Sequence, residues 1–243
     1  MNLVIDAGNT YVKLAIFDRN ILKEKNVIAY EDFNVVLKEV LETYPDLENA
    51  IIASVGRFNS DMMSSLGSDL NILELSHNLK FPFENTYETP LTLGVDRIAL
   101  VCAALDQFPN NNVLVIDAGT CITYDFINLK NQYLGGAISP GIRLRYKSLN
   151  DFTANLPLLH TEMPISITGN STQQSIHSGV VYGVLKEIDG VIEEYADNYS
   201  DLTVILTGGD AKFLSNQLKN SIFANSNFLL EGLNFILEYN IRL

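Results

Sequence analysis

Two copies of one short motif contain the residues whose types and spacing could do chemistry in this chain. The six residues Leu3 to Gly8, Leu-Val-Ile-Asp-Ala-Gly, recur letter for letter at positions 114–119. In each copy an aspartate ends an apolar, strand-like run, and the glycine two residues later permits close backbone approach. Successive N–H groups in such a turn can bind an anion, and the carboxylate can bind a hard cation. The repeat therefore indicates binding of phosphates together with their metal ion.

Polar side chains follow both copies of the motif. Asn9 and Thr10 come directly after the first copy, and Thr120 comes directly after the second. Their hydroxyl and amide groups would add donors for a phosphate. Lys13 lies three residues beyond Thr10, where it is either an exposed strand lysine or a point charge that reaches a phosphate. One such hairpin alone is usually only a turn, but its recurrence favours a shared function.

Strand-like segments on both sides of each turn must position these groups. Apolar and β-branched residues continue at Val12 to Phe17 after the first turn and at Ile122 to Ile127 after the second. Two such runs joined by a turn with glycine predict a β-hairpin. Because each half of the chain opens with the same unit, we expect two α/β domains, residues 1–112 and 113–243, with a cleft between them.

A third glycine-containing turn follows later in the chain. Leu202 to Leu206 is a predicted strand, Gly208 and Gly209 come after it, and a helix is predicted from Asp210 to Leu218. A glycine pair at the start of a helix provides a suitable binding surface for a nucleoside. A long helix is also predicted from Gln174 to Tyr199.

A block between the two hairpins, Tyr87 to Arg97, indicates a second kind of chemistry. Its sequence is Tyr-Glu-Thr-Pro-Leu-Thr-Leu-Gly-Val-Asp-Arg, and it leads into the apolar run Ile98 to Leu105, which is part of a predicted helix. Gly94 and Asp96 could simply end a loop and cap that helix. An aspartate beside an arginine at a helix start also presents a base next to an anion-binding fork.

Charge and composition exclude several classes of function. The formal net charge is −13 and the basic residues are dispersed, whereas a nucleic-acid-binding surface needs clustered lysine and arginine. With 47% apolar and 19% charged residues the chain is expected to fold. The longest apolar run is too short to cross a bilayer, and the N-terminal residues do not resemble a secretory signal. We therefore expect a cytoplasmic protein with no nucleic acid and no membrane among its partners.

The cysteines and histidines predict neither a disulfide framework nor a zinc site. Cys102 and Cys121 both lie in apolar runs. The three histidines, His77, His160 and His177, are scattered without the spacing of metal ligands. We expect each of them to be an ordinary surface or helical residue.

Taken together, the motifs resemble those of the type III pantothenate kinases, also called the Bvg accessory factor family, within the actin/Hsp70/sugar-kinase superfamily. They occur in the order of that family and are spread along nearly the whole chain, except that the tail from Asn220 onward contains none of them. The motifs are Asp6-Ala7-Gly8-Asn9-Thr10 with Lys13, Tyr87-x-x-Pro90, Gly94-x-Asp96-Arg97, Asp117-Ala118-Gly119-Thr120, Gly135-Gly136-x-Ile138-x-Pro140-Gly141, Thr153-Ala154-x-Leu156-Pro157, Gly169-x-x-Thr172 and Thr207-Gly208-Gly209.

The resemblance implies both a fold and a reaction. The fold would consist of two duplicated actin-like, ribonuclease H-like α/β domains. The reaction would be the phosphorylation of pantothenate by ATP to 4'-phosphopantothenate, the first step of coenzyme A synthesis. Asp96 would accept the proton of the primary hydroxyl of pantothenate. Arg97 would hold either the pantothenate carboxylate or a phosphate.

Further residue roles follow from the resemblance. ATP would be held by Asp6, Ala7, Gly8, Asn9, Thr10, Tyr11, Val12, Lys13 and Thr120. The pantothenate site would be lined by Tyr87, Gly94, Val95, Asp96, Arg97 and Thr172. Asp117 would bind a monovalent cation, K⁺ or NH₄⁺, and Asp6 would bind Mg²⁺, directly or through water. The protein would be a homodimer with the pantothenate pocket close to the subunit interface.

Three other functions are compatible with parts of the pattern. A kinase of the same architecture acting on a sugar or an acetate-like acceptor would share the hairpins without requiring the Tyr87 to Arg97 block. A non-catalytic regulator would be favoured by loss of Asp96 or Asp117, and both are present. A filament-forming ATPase like actin would leave Asp96 and Arg97 unexplained, and the chain is short for one.

Overall fold

The computed structural model describes residues 1–54, 58–68 and 70–242 as a mixed α/β protein with two sheets. The strands are β1 (Asn2–Ala7), β2 (Val12–Asp18), β3 (Ile21–Ile28), β4 (Asn49–Ser54), β5 (Asn71–Glu74), β6 (Glu84–Asn85), β7 (Asn112–Ala118), β8 (Cys121–Ile127), β9 (Gln132–Pro140), β10 (Leu202–Thr207) and β11 (Phe223–Ala224). The helices are α1 (Phe33–Thr43), α2 (Ser60–Ser64), α3 (Val95–Gln107), α4 (Ile142–Asp151), α5 (Thr172–His177), α6 (Gly183–Asn198), α7 (Ala211–Ser215) and α8 (Phe228–Ile241).

The chain divides into two compact units. The first unit comprises Met1–Gln107 and Asn227–Leu243, and the second comprises Phe108–Ser226. This division differs from the sequence-based domains 1–112 and 113–243 chiefly in the position of α8. Because α8 packs against α3, β1 and β4, it belongs to the first unit although it is the last helix of the chain.

The sheet of the first unit has the strand order β3-β2-β1-β4-β5. The strands β1, β2 and β3 pair antiparallel, whereas β4 pairs parallel with both β1 and β5. The central strand β1 is buried along its whole length, as its uninterrupted apolar run predicts. The helix α1 buries Phe33, Leu37 and Val40, which recur at helical spacing and pack into the same core as Leu3 and Ile5.

The sheet of the second unit repeats this arrangement. Its strands β11, β10, β7, β8 and β9 lie side by side in that order. The hairpin strand β7 pairs antiparallel with β8 and parallel with β10, just as β1 pairs antiparallel with β2 and parallel with β4. The two copies of the sequence motif therefore occupy equivalent positions in two sheets with the same strand pairing. The predicted duplicated α/β fold is confirmed.

The predicted helix from Gln174 to Tyr199 is present but not uniform. It consists of α5, a π-helical segment at Ser178–Tyr182 and α6. The apolar face of α6 packs on the second core, where Val184 and Ile188 contact the layer that contains Leu114 and Tyr124. Among the described residues, no helix has the length and apolar content that a membrane span requires.

Candidate active site

The first hairpin places Lys13 directly on Asp6. The two residues are cross-strand partners of β1 and β2, and Lys13 Nζ lies 2.7 Å from Asp6 Oδ2. Only 13% of the Asp6 side chain is exposed, against 38% for Lys13. The lysine therefore neutralises a carboxylate at the end of a buried strand while its ammonium group stays accessible. A magnesium ion at Asp6 would share that carboxylate with Lys13.

The turn of the first hairpin is held by two hydrogen bonds to Gly8. Gly8 N–H donates to Tyr11 O at 3.1 Å, and the hydroxyl of Tyr30 donates to Gly8 O at 2.5 Å. The other turn residues are exposed. Because the amide of Gly8 is used within the turn, a ligand would rely on other groups of the hairpin, among them the donors of the exposed residues Asn9 and Thr10.

The second hairpin has the same form with a shorter turn. Three residues, 119–121, lie between the last cross-strand pair, Ala118 and Ile122, against four, 8–11, between Ala7 and Val12 in the first hairpin. Gly119 N–H donates to Cys121 O at 2.9 Å, and Thr120 is exposed at the tip. The register pairs Asp117 with Thr123, so a threonine stands where the first hairpin has its lysine. The two aspartates therefore have different cross-strand neighbours.

The turn between β9 and α4 braces the second hairpin. Gly141 N–H donates to Thr120 O at 3.0 Å. A Cβ added at Gly141 would overlap the carbonyl oxygen of Gly119, so this close approach requires glycine. The Pro140-Gly141 motif thus packs against the predicted phosphate-binding turn and holds it by a backbone hydrogen bond.

The Gly208–Gly209 turn after β10 also packs against the second hairpin. Asp210 N–H donates to Ala118 O at 2.9 Å. Gly208 has a φ of +95°, and a Cβ there would overlap both Ala118 O and Asp117 Oδ1. Only glycine fits at this position, and the turn is thereby held against the carboxylate of Asp117.

A pocket of about 560 Å³ opens beside this turn. Asp210 and Arg143 form one side of it, with 3.0 Å between Arg143 Nη2 and Asp210 Oδ1. Burial raises the pKa of Asp210, and the neighbouring guanidinium opposes that rise. Lys147 and residues Leu158 to Thr161 complete the lining. The pocket therefore combines apolar, cationic and carboxylate groups.

Asp96 lies in the first turn of α3, in the first unit. Its Oδ1 accepts a hydrogen bond from Arg97 N–H at 2.9 Å, and its side chain is half-buried. A Cβ added at Gly94 would overlap the same carboxylate oxygen, so the glycine provides the space that Asp96 occupies. The motif Gly94-Val95-Asp96-Arg97 thus holds one carboxylate in a defined position at the start of a buried helix.

The neighbours of Asp96 are held by contacts from outside the motif. Arg97 is only 4% exposed, and its guanidinium carbon lies 5.8 Å from the centroid of the Tyr87 ring, within the range of a cation–π contact. His77 Nε2 lies 2.8 Å from Leu93 O. Because a carbonyl only accepts, Nε2 of His77 carries the proton and donates it. His77 is therefore a support for the loop before α3 rather than an ordinary surface residue.

Thr172, the remaining predicted substrate residue, begins α5 in the second unit. The side chain of Ser171 caps this helix by accepting from Gln174 N–H at 3.2 Å. Thr172 lines a pocket of about 660 Å³ together with Leu149, Leu156, Gly169 and Ile176. The Gly169-x-x-Thr172 motif therefore contributes both of its defining residues to the wall of one pocket.

The sequence predicts two cation sites with one protein ligand each, Asp6 and Asp117. Within the described ranges, no group of three or more histidine, cysteine, aspartate or glutamate residues is placed to hold a metal ion. Mg²⁺ in nucleotide sites is commonly bound by one or two carboxylates plus phosphates, and each hairpin has one carboxylate beside a turn that is predicted to bind phosphate. The donor chemistry of both aspartates thus fits a cation that ATP brings with it.

Comparison with known proteins identifies the family. The family model for type III pantothenate kinases matches residues 2–194. A type III pantothenate kinase from Christiangramia forsetii is 51% identical over 240 residues, covering 99% of both chains. One from Phocaeicola vulgatus is 45% identical over 245 residues, covering 100% of both. The chain belongs to the type III pantothenate kinase family.

Solved structures place this type III pantothenate kinase chain within a wider fold group. A Baf family protein from Campylobacter jejuni, described as a transcriptional activator, has a TM-score of 0.66, 22% identity, and coverage of 99% of this chain and 100% of that one. A glucokinase from an Antarctic psychrotroph has a TM-score of 0.53, 14% identity and 98% coverage of both chains. At these identities the likeness concerns the fold alone, which is that of the actin-like sugar kinases.

Two supporting residues of this type III pantothenate kinase were missed from sequence. Tyr30 lies 22 positions from Gly8, and His77 lies 16 positions from Leu93. Neither belongs to a recognised motif, and a single tyrosine or histidine carries no spacing signal. Only the folded chain shows that Tyr30 donates to a carbonyl within a motif, at Gly8, and His77 to one directly before a motif, at Leu93.

Proposed function

We propose that this chain transfers the γ-phosphoryl group of ATP to the primary hydroxyl of pantothenate, the first step of coenzyme A synthesis. The observation that carries the proposal is the 51% identity, over 99% of both chains, to a type III pantothenate kinase. The site supports it, because a carboxylate lies at the start of α3 and each unit contains a hairpin with the Asp-Ala-Gly sequence, for which phosphate binding is predicted. Since this reaction consumes ATP, we place the enzyme in the cytoplasm.

In this mechanism Asp96 is the general base. Oδ1 is engaged by Arg97 N–H, so Oδ2 is the oxygen that would accept the hydroxyl proton. Phosphoryl transfer has a loose transition state, and proton acceptance comes late, which suits an ordinary carboxylate. Tyr87, Gly94 and Val95 would line the acceptor site with Asp96. Thr172 of the second unit would also contact pantothenate.

Arg97 would bind an anionic group of the substrates. Its burial and its contact with the Tyr87 ring fix the guanidinium plane, which favours a two-point contact with a planar carboxylate. This supports Arg97 as the residue that binds an anionic group, either the pantothenate carboxylate or a phosphate.

ATP would bind along both hairpins. Residues Asp6 to Lys13 would hold phosphates in the first unit, with Asn9 and Thr10 as donors and Lys13 as the cationic group. Thr120 would do the same in the second unit. The pocket beside Gly208 and Gly209 would take the nucleoside. One of its lining residues, Asp210, is hydrogen-bonded through its N–H to Ala118 O of the second hairpin. The pocket offers apolar side chains for a base and the Asp210 carboxylate for ribose hydroxyls.

Cations would complete the ATP site. Mg²⁺ would be held at Asp6, directly or through water, and would offset the charge of the transferring phosphoryl group. K⁺ or NH₄⁺ would be held at Asp117. The register supports this difference, because Lys13 faces Asp6 while Thr123 stands at the matching position beside Asp117.

The function is tested by a coupled assay of ATP consumption with purified protein. Pantothenate should support turnover, whereas glucose, N-acetylmannosamine and acetate at the same concentration should not exceed the rate without acceptor. The product should be identified by mass as phosphopantothenate. Turnover with a sugar but not with pantothenate would assign the chain to a different kinase of the same fold.

We also propose that the protein is a homodimer. Apolar side chains of the second unit are largely exposed, among them Ile138 at 63%, Phe152 at 87% and Ile165 at 88%. We propose that these side chains contribute to one apolar surface, since contiguous apolar patches mark association surfaces and two copies of one chain commonly pair about a two-fold axis.

The dimer prediction is checked by sedimentation at micromolar concentration. The wild type should sediment at twice the mass of the 27.0 kDa chain, and Phe152→Asp should shift it towards monomer. Val35→Asp is the matched control, because Val35 is an apolar residue of α1 that is 63% exposed in the first unit. A fully active wild-type monomer would contradict the proposal.

A further inference from the structure

We propose that Tyr30 is a positioning residue for the ATP phosphates, because its hydroxyl orients the Gly8–Asn9 peptide unit. The proposal rests on the function proposed above, in which the first hairpin holds ATP. Tyr30 lies outside every motif and would act through the backbone of the turn rather than by touching the substrate.

Tyr30 is anchored independently of the hairpin. It begins a 3₁₀ turn, Tyr30–Asp32, between β3 and α1, and its ring packs against the core of the first unit. From there its hydroxyl donates to Gly8 O at 2.5 Å. Gly8 N–H is bonded to Tyr11 O, so both backbone polar groups of Gly8 have defined directions.

The geometry of the peptide bond turns this contact into an effect on ligand binding. A trans peptide unit is planar, and its C=O and N–H point in opposite directions. While Tyr30 holds the carbonyl of Gly8, the N–H of Asn9 points away from Tyr30. Asn9 is exposed at the hairpin tip. A donor whose direction is fixed before binding stabilises a bound phosphate without a further ordering cost.

The second hairpin has a comparable brace. There the donor is Gly141 N–H, which bonds to Thr120 O at 3.0 Å. In both hairpins a group from outside the turn donates to a carbonyl of the turn. The brace of the first hairpin is a side chain, so it can be removed by substitution without altering the backbone.

Tyr30→Phe removes only the hydroxyl and tests the proposal. We expect the KM for ATP to rise about fivefold to tenfold, the effect of losing one well-placed hydrogen bond. The KM for pantothenate should stay within about twofold, because Gly8 is not part of the acceptor site. The dissociation constant of Mg·ADP, measured by calorimetry, should rise with the KM for ATP.

Tyr44→Phe is the matched control. Tyr44 also lies in the first unit, and its hydroxyl donates to Glu24 Oε2 at 2.8 Å, far in sequence from the turn. This variant loses a tyrosine hydrogen bond of the same kind, and both KM values should stay at the wild-type level.

Two results would overturn the proposal. One is an unchanged affinity of Tyr30→Phe for both ATP and Mg·ADP. The other is an equal rise of the KM values for ATP and pantothenate, which indicates a general structural role. The proposed function could fail while this proposal holds. In that case the wild type would bind Mg·ADP but would not phosphorylate pantothenate. The Mg·ADP affinities of wild type and Tyr30→Phe could still be compared, and their difference would test the role of Tyr30.

Discussion

Asp96→Asn should lower the kcat of pantothenate phosphorylation by about 10²–10⁴-fold, the usual contribution of a positioned general base. The amide cannot accept the hydroxyl proton. Its Oδ1 can still accept from Arg97 N–H, so the start of α3 should be preserved. We therefore expect an unchanged thermal midpoint and an unchanged affinity for Mg·ADP. Steady-state kinetics with pantothenate as the varied substrate, together with calorimetry, provide the measurements.

Two further variants make this prediction specific. Asp106→Asn is the matched control on the same helix, since Asp106 lies at the opposite end of α3, where burial and the charge of Glu231 raise its pKa. Its kinetic constants should stay within about twofold of wild type. Gly94→Ala should reduce kcat with Asp96 still present, because the added methyl group would displace the carboxylate. If Asp96→Asn keeps more than about a tenth of the wild-type kcat, Asp96 is not the base.

Replacing NaCl by KCl at fixed ionic strength should raise the rate about tenfold, corresponding to about 1.4 kcal/mol of barrier. Asp117 would hold a large monovalent ion, which does not demand the octahedral shell of Mg²⁺ and would supply positive charge next to the phosphates. It would thereby reduce the repulsion between Asp117 and ATP in a protein with a net charge of −13. Initial rates at saturating Mg²⁺ in ammonium-free buffer measure this effect.

Variants at the second hairpin locate the cation. Asp117→Asn should weaken both the potassium dependence and the affinity for ATP, whereas Asp197→Asn, at an exposed position of α6, should change neither. Thr123→Lys places a lysine beside Asp117 as the first hairpin has one beside Asp6, so its rates in sodium and potassium should converge. Equal wild-type rates in the two salts would show that Asp117 does not bind a monovalent cation needed for activity.

The local elements of the fold were predictable because their signals lie within short stretches of sequence. The apolar runs of β1 and β7, each ended by Asp-Ala-Gly, predicted both hairpins, and α3 was predicted from its apolar run. The order of the motifs also predicted the family, which the comparisons confirm. The roles of Asp96, Asp117 and the ATP-binding residues stay predictions until they are measured.

The tertiary structure decided what depends on register and on distant contacts. A turn one residue shorter in the second hairpin aligns Thr123 with Asp117, whereas Lys13 aligns with Asp6. The sequence shows both turns but not where each strand pairing begins, and a change of register changes every cross-strand neighbour. The different electrostatics of two identical hexapeptides therefore arises only on folding.

The grouping of elements into units and the supports of the site likewise required the folded chain. The last helix, α8, packs on α3 of the first unit, where Gly232 allows it to approach the backbone at Ala99. Tyr30 and His77 reach the turns of Gly8 and Leu93 across many residues of chain. Local sequence patterns specify the type of an element and the face it buries. Which distant groups then meet is determined by packing, because many residues of suitable type compete for each contact and only the folded core selects among them.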